Sequence, residues 1–228
     1  MSIWTRIADA ISALASGEGL SAMFDRLRAP PERSVLFTIA VIALGAKMAK
    51  ADGQVTRDEV AAFRQVFHIP PSEEANAARV FNLARQDVAG FEEYARRIAT
   101  MFNDPGGAMT LRDLIEGLFH IALADGHYHP KEDDFLHRVS AIFGLGDRDF
   151  RALRARFVQD GPPDPWEVLG LAAGADAATA KAAWRQLVRD CHPDGMIARG
   201  VPQEAVRLAE KRLIAINRAY EEISEGRA

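Results

Sequence analysis

The sequence predicts an all-α protein. Apolar residues recur at a helical period along nearly the whole chain, no stretch alternates in the manner of a strand, and turn residues separate the periodic segments. The chain has 228 residues, 48% of them hydrophobic, which is enough to bury a core in one or two domains. We expect a bundle of about seven helices followed by a C-terminal helical hairpin.

The first part of the chain, 34–158, contains the predicted bundle. Its first helix, 34–50, is apolar on all sides, but it is shorter than the roughly 20 residues of a bilayer span, so it is interpreted as a buried core helix. The other six helices are expected at 56–67, 72–86, 90–103, 110–125, 130–143 and 147–158. The segment 159–165 is rich in proline and cannot continue a helix, so it is predicted to link two domains.

Residues 1–33 form an N-terminal amphipathic segment, without the long apolar run of a signal peptide or a membrane anchor. Four apolar residues recur there at helical spacing: Ile3, Ile7, Ile11 and Leu14. Docking on the bundle is the favoured interpretation, and peripheral contact with a membrane surface is the alternative. No transmembrane span is predicted.

Composition and motifs exclude several classes of function. The net charge of −4 lacks the basic excess of nucleic-acid-binding proteins. The single cysteine, Cys191, allows no internal disulfide and no cysteine-ligated zinc, which indicates a reducing, cytoplasmic location. The motifs of serine hydrolases, P-loop enzymes, dinucleotide-binding enzymes and HExxH zinc enzymes are missing from the sequence. We therefore predict neither an enzyme nor an organic cofactor.

The bundle contains an internal repeat. KADGQVTRDEVAAF at 50–63 aligns with LADGHYHPKEDDFL at 123–136, and each copy lies between a long apolar helix and the next helix. A helix-capping function explains both acidic pairs, Asp52 with Glu59 and Asp125 with Glu132. The loops are not complete EF-hands, because the first and third ligand positions carry no carboxylate. A weak divalent-cation site shared by the two pairs remains the alternative.

With its paired ADG…E loops, the segment 34–158 resembles the TerB-like family of helical modules, which is named for tellurite-resistance proteins. In that family the acidic loop residues have been linked to metal binding. The resemblance would assign such a role to Asp52, Glu59, Asp125 and Glu132.

The second part, 166–228, predicts two helices packed as an antiparallel hairpin. Along the first helix, Trp184 and Leu187 lie on one face, and Lys181, Arg185 and Arg189 form a basic stripe about 130° away. The second helix carries apolar residues at alternating steps of three and four: Val206, Ala209, Leu213, Ile216, Tyr220 and Ile223. Pro193 is expected to end the first helix, so that His192 and Asp194 lie on an exposed loop beside the stripe.

Residues 164–225 resemble the J-domain family of DnaJ-type co-chaperones, on the WxxLGL lead, the basic helix, the His-Pro-Asp triplet and the INRAYEEI helix. That resemblance implies a DnaK-type heat-shock chaperone as partner and stimulation of its ATPase. It would assign partner binding to six residues: His192, Pro193, Asp194, Lys181, Arg185 and Arg189. Cys191 and Gly195 depart from the family pattern, in which a bulky ring precedes the triplet and a basic residue follows it.

The order of the two parts resembles membrane-anchored co-chaperones that carry a TerB-like domain before a C-terminal J-domain, here without their membrane span. The sequence therefore predicts a co-chaperone whose TerB-like domain supplies specificity for a client protein or a location. A metal-responsive stress or adaptor protein with a degenerate J-domain is the alternative.

Overall fold

A computed structural model describes residues 6–7, 33–52, 69, 71–86, 90–124, 126–158, 164–202, 206 and 208–226. Apart from a 3-10 turn at Pro71–Glu73, the regular elements within these ranges are α-helices, which confirms the all-α prediction. The bundle consists of α1 (Arg33–Asp52), α2 (Glu74–Gln86), α3 (Phe91–Met101), α4 (Gly107–Ala122), α5 (Pro130–Ile142) and α6 (Asp147–Phe157). The C-terminal part consists of α7 (Pro165–Val168), α8 (Ala177–Asp190), α9 (Pro193–Ala198) and α10 (Leu208–Ser224).

Helix α1 lies at the centre of the bundle and packs against α2, α3, α4 and α5. It can do so because it is apolar around its circumference, the pattern of a helix with no solvent face. Even Lys47 is buried there, with its ammonium nitrogen 4.9 Å from the centre of the Tyr94 ring. The prediction that this segment is a core helix is confirmed.

The main core surrounds α1 and is extended by aromatic rings from α4, α6 and the turn before α5. The Phe119 ring stacks on Phe157 at 5.3 Å and on Tyr128 and Phe150 at 5.9 Å each. Ile7 of the N-terminal segment is completely buried in this core, which favours docking of that segment over contact with a membrane. Its other apolar residues lie outside the described ranges.

The predicted helix bounds agree with the structure to within a few residues, and the predicted helix 56–67 lies outside the described residues. The largest difference is α4, which begins at Gly107 rather than at residue 110. A Cβ atom on Gly107 would lie 1.5 Å from the carbonyl oxygen of Phe102, so the chain can enter this helix only through glycine. A glycine pair carries no helical period, which is why the prediction started later.

Helices α8 and α10 pack against each other through a second, smaller hydrophobic core. The buried residues of this hairpin core are Val168, Leu169, Ala180, Cys191, Ile216 and Ala219. Trp184 of α8 contacts Tyr220 near the end of α10. The last residue of α8, Asp190, accepts a hydrogen bond from Arg199, which is joined through Asp113 to Arg212 near the start of α10. The contacts run in opposite directions along the two helices, so the hairpin is antiparallel as predicted.

The bundle and the hairpin share their cores. Met196, Val201 and Ala209 from the C-terminal part are buried in the main core, and Ala155 of α6 packs against the hairpin core. The backbone of Gly200 passes so close to α1 that an added Cβ would lie 2.6 Å from the Cβ of Arg33. The two parts are therefore packed together as tightly as helices within one domain.

Candidate functional site

The hairpin begins with two capped helices. The Asp164 carboxylate accepts a hydrogen bond from the Trp166 amide at 2.9 Å, which starts α7. The Asp176 carboxylate accepts from the Thr179 amide at 2.8 Å and from its hydroxyl at 2.9 Å, which starts α8. These bonds stabilise the charged form and lower the pKa of Asp176. Both helices thus have the N-terminal caps that their sequences require.

Trp184 fixes α8 against α10. Its ring stacks on Tyr220 with centroids 4.6 Å apart and planes 12° apart, and its indole nitrogen donates to Asn217 Oδ1 at 2.8 Å. Because the ring is only partly buried, it covers the hairpin core rather than filling it. This contact orients the opposite face of α8 toward solvent.

The basic stripe lies on that solvent face. Lys181, Arg185 and Arg189 are all exposed, as predicted. Within the described part of the chain, Lys181 and Arg185 form no ion pair, while Arg189 donates to Gln186 at 2.7 Å. The charges of Lys181 and Arg185 are therefore not neutralised within the described part of the chain and are available to an acidic group of a partner.

The His-Pro-Asp segment differs from the predicted loop. Helix α8 ends at Asp190, before the triplet, and His192 is the N-cap residue of the short helix α9. Pro193 therefore begins a helix instead of ending one, because proline lacks an amide hydrogen and is suited to a first helical position. His192 Nδ1 accepts a hydrogen bond from the Asp194 amide at 3.3 Å.

The triplet is exposed between two buried residues. The side chains of His192 and Asp194 are 61% and 89% exposed. Cys191 on one side is buried in the hairpin core, and Met196 on the other side is buried in the main core. Burial raises the pKa of the Cys191 thiol to about 11, so the thiol is protonated at neutral pH. The triplet is thus a short exposed arc with both ends fixed.

A buried charge cluster, which was not predicted from the sequence, lies between α4 and the C-terminal part. Arg212 of α10 contacts Asp113 at 3.3 Å and Glu116 at 2.9 Å, with all three side chains no more than 2% exposed. Arg199, which follows α9, contacts the other Asp113 oxygen at 3.0 Å. The available signal was the pair of carboxylates three residues apart on the mainly apolar helix α4.

Burial dominates the electrostatics of this cluster. It raises the pKa of Asp113 and of Glu116, and the positive charge of Arg212 opposes both shifts. Burial also lowers the pKa of nearby Arg156 to about 10, which leaves that side chain charged at neutral pH. Its Nε donates to the carbonyl oxygen of Val168 at 3.0 Å and so connects α6 to α7.

The candidate metal-binding residues are only partly described. Glu132 is buried and accepts a hydrogen bond from the His129 amide at 2.9 Å, so it caps α5 as the repeat predicts. Glu59, Asp125 and the side chain of Asp52 lie outside the described part of the structure. Among the residues described, no three His, Cys, Asp or Glu side chains are grouped to hold a metal ion.

These features define an all-α bundle that carries a docked helical hairpin with an exposed His-Pro-Asp segment. The chain belongs to the family of the tellurite resistance protein TerB, whose sequence pattern matches residues 38–155, just over half of its length. The family match confirms the resemblance that the paired ADG…E loops indicated. No helix within the described ranges is long and apolar enough to cross a membrane.

Homology extends beyond the TerB region to proteins described as co-chaperone protein DjlA. The relative from Salmonella typhimurium (strain LT2) is 26% identical, with 99% of this chain and 98% of the relative covered. The relative from Escherichia coli (strain K12) is 25% identical with the same coverage. The relative from Aliivibrio fischeri is 27% identical, with 85% of this chain and 80% of the relative covered. No solved structure gives a significant match.

Proposed function

We propose that this protein is a non-enzymatic co-chaperone of the cytoplasm that recruits a DnaK-type heat-shock chaperone and stimulates its ATPase. The observation that carries the proposal is the exposed triplet His192–Asp194 beside the exposed basic stripe. Such a surface suits a partner with an acidic patch, because opposite charges speed association and fix its register. The homology to co-chaperones along nearly the whole chain supports the same function.

The bundle would supply the specificity in this proposal. An unknown client protein or a cellular location is the proposed target of the TerB domain. The alternative function, a metal-responsive stress or adaptor protein, is favoured by the family match to a tellurite resistance protein. This alternative requires that a cation binds at Asp52, Glu59, Asp125 and Glu132. It also requires that the hairpin does not stimulate the chaperone ATPase.

An ATPase assay with a purified DnaK-type chaperone tests the proposal. The parent chain should raise the steady-state rate, and His192→Gln should abolish the increase. His127→Gln is the matched control, because His127 is also exposed but lies in the bundle, before α5. Far-UV circular dichroism should show equal helix content in all three proteins.

A parent chain that leaves the ATPase rate unchanged would exclude the co-chaperone function. A chelator that lowers the melting temperature of the parent by a large amount, reversed by one particular cation, would favour the metal-responsive alternative.

A further inference from the structure

The position of the His-Pro-Asp segment depends on the bundle as well as on the hairpin. Cys191 anchors its first end in the hairpin core, and Met196 anchors α9 in the main core. Only four residues separate these two anchors. The position of the exposed triplet between them therefore depends on how the bundle and the hairpin pack against each other.

Arg199 ties both ends of this segment to α4. Its Nη2 donates to Asp113 Oδ2 at 3.0 Å and to the carbonyl oxygen of Asp190 at 3.0 Å. The Asp190 carbonyl belongs to the last turn of α8, whose final carbonyls have no partner inside the helix. One guanidinium thus joins the end of α8, the residue after α9 and a carboxylate of the bundle.

Asp113 is itself held in place. Its second oxygen accepts from both terminal nitrogens of Arg212, at 3.3 and 3.4 Å, and Arg212 also contacts Glu116. Thr110, one turn earlier on α4, donates to the carbonyl oxygen of Arg199 at 3.4 Å. A carboxylate with this many buried partners has one orientation, and it imposes that orientation on Arg199.

We propose that Arg199 and Asp113 are positioning residues for the partner-binding site. Through them the bundle holds the segment from Asp190 to Gly200 so that His192 and Asp194 project beside the basic stripe. Neither residue needs to touch the partner, since Asp113 is buried and Arg199 is turned toward the bundle. The effect on chaperone binding rests on the proposed function, whereas the effect on the loop does not.

The thiol of Cys191 reports on the loop directly. It is the only cysteine of the chain, it is buried, and it immediately precedes the triplet. Its rate of reaction with 5,5′-dithiobis(2-nitrobenzoate) below the unfolding transition measures how often this segment opens. Loss of a buried, charge-assisted hydrogen bond should make opening of this segment at least about tenfold more frequent.

The experiment compares Arg199→Ala with Arg112→Ala in the full-length chain. Arg112 is the matched control, because it lies on α4 with similar exposure, 23% against 16%, and pairs with Asp149 inside the bundle. We expect about tenfold faster thiol modification in Arg199→Ala and a rate within about twofold of the parent in Arg112→Ala. Arg199→Lys keeps the charge but reaches only one acceptor, so its rate should lie between those of the parent and Arg199→Ala.

Equal thiol rates in the parent and Arg199→Ala would overturn the proposal. Equal acceleration in Arg199→Ala and Arg112→Ala would overturn it too, since the effect would then be general destabilisation. Should Arg199→Ala not fold, Arg199→Lys carries the same comparison, and a rate equal to the parent's would again contradict the proposal.

A chaperone assay then separates positioning from chemistry. If Arg199→Ala orients the triplet correctly only part of the time, the concentration for half-maximal ATPase stimulation should rise while the maximal rate stays the same. A lower maximal rate at an unchanged half-maximal concentration would contradict a positioning role. A parent chain without any stimulation would exclude the proposed function, and the thiol rates would still decide whether Arg199 holds the loop.

Discussion

Asp113 and Arg212 lie 99 residues apart in the sequence, and their side chains meet at 3.3 Å with almost no exposure to solvent. Removing two charges from water costs several kcal/mol, and their attraction returns this only when further partners satisfy both groups. Arg199 is such a partner for Asp113, whereas Glu116 lies 2.9 Å from Arg212 Nε as an ion pair without a hydrogen bond. We therefore expect the cluster to contribute more to the relative position of bundle and hairpin than to the stability of either.

Loss of Arg212 should be strongly destabilising. Arg212→Gln leaves Asp113 and Glu116 buried with less compensation, which should lower the free energy of unfolding by about 3–5 kcal/mol. Arg218→Gln is the control on the same helix, since Arg218 forms an exposed pair with Glu222 and should cost no more than about 0.5 kcal/mol. Urea denaturation of the three proteins measures both values. Similar losses from the two substitutions would contradict the burial of the cluster.

The cost of Arg212→Gln should depend on pH. Burial raises the pKa of both carboxyls, and the substitution removes the cation that opposes this rise. The folded variant then keeps protons that the unfolded chain releases, so its stability falls as pH rises from the ordinary carboxyl pKa to the raised one. The difference in unfolding free energy from the parent should be smaller at about pH 5 than at about pH 8. Urea melts at the two pH values check this, and an equal difference would contradict it.

Gly200→Ala tests the contact between the hairpin and α1. Gly200 has φ of +88°, and a Cβ there would overlap Arg33. Gly200→Ala should lower the free energy of unfolding through two effects that add: backbone strain of about 1–2 kcal/mol and overpacking of about 1–3 kcal/mol. The control is Gly174→Ala, with φ of +74° but no described atom within 4 Å of the added Cβ, which should show the strain alone. Thermal melts that shift equally for both variants would show that the close approach to Arg33 contributes nothing.

Trp184→Ala should destabilise the hairpin. The ring is partly exposed, so we expect a loss of about 2–3 kcal/mol, below the 3–5 kcal/mol typical of a fully buried tryptophan. Trp184→Phe keeps the stacking on Tyr220 and loses the bond to Asn217, and should cost about 1 kcal/mol. Chemical denaturation measures both variants. A larger loss for phenylalanine than for alanine would contradict this order.

Arg185→Glu should weaken chaperone binding without affecting folding. The side chain is exposed on the basic stripe, so the free energy of unfolding should change by no more than about 0.5 kcal/mol. Reversal of its charge should weaken binding by about tenfold or more at low salt and by less at high salt. Arg148→Glu, an exposed substitution on α6, is the control. Titration of the chaperone with each variant at two ionic strengths measures the affinities. Equal affinities of the Arg185→Glu and Arg148→Glu variants would show that the partner does not bind at the basic stripe.

The helices themselves could be predicted from local pattern. The apolar run of α1 predicted its burial, and the helical spacing of apolar and basic residues predicted both faces of α8. Helix α9 was missed because a proline after a helix usually marks its end, and only the structure shows His192 as a new N-cap. The six partner-binding assignments stay predictions, and the structure adds the exposure of the triplet and of the stripe.

The docking of bundle and hairpin could not be predicted in the same way. Arg212 follows two other charged residues, Glu210 and Lys211, and lies outside the apolar series of its helix, so its sequence position suggests a solvent-exposed side chain. Its burial depends on Asp113 and Glu116 of α4, which lie about a hundred residues earlier in the chain and meet Arg212 only because α10 packs against α4. Sequence periodicity describes one helix at a time, whereas this contact depends on how α10 packs against α4.

The shared core limits how freely the hairpin can be separated from the bundle by genetic rearrangement. A hairpin expressed alone would expose Met196, Val201 and Ala209, together with the unneutralised charge of Arg212. The bundle alone would expose the apolar surface that these residues cover, beside the carboxylates of Asp113 and Glu116 without Arg212. Gene fusions that join this hairpin to another protein would therefore have to recreate that surface, so the two parts are expected to be inherited as a pair rather than exchanged as modules.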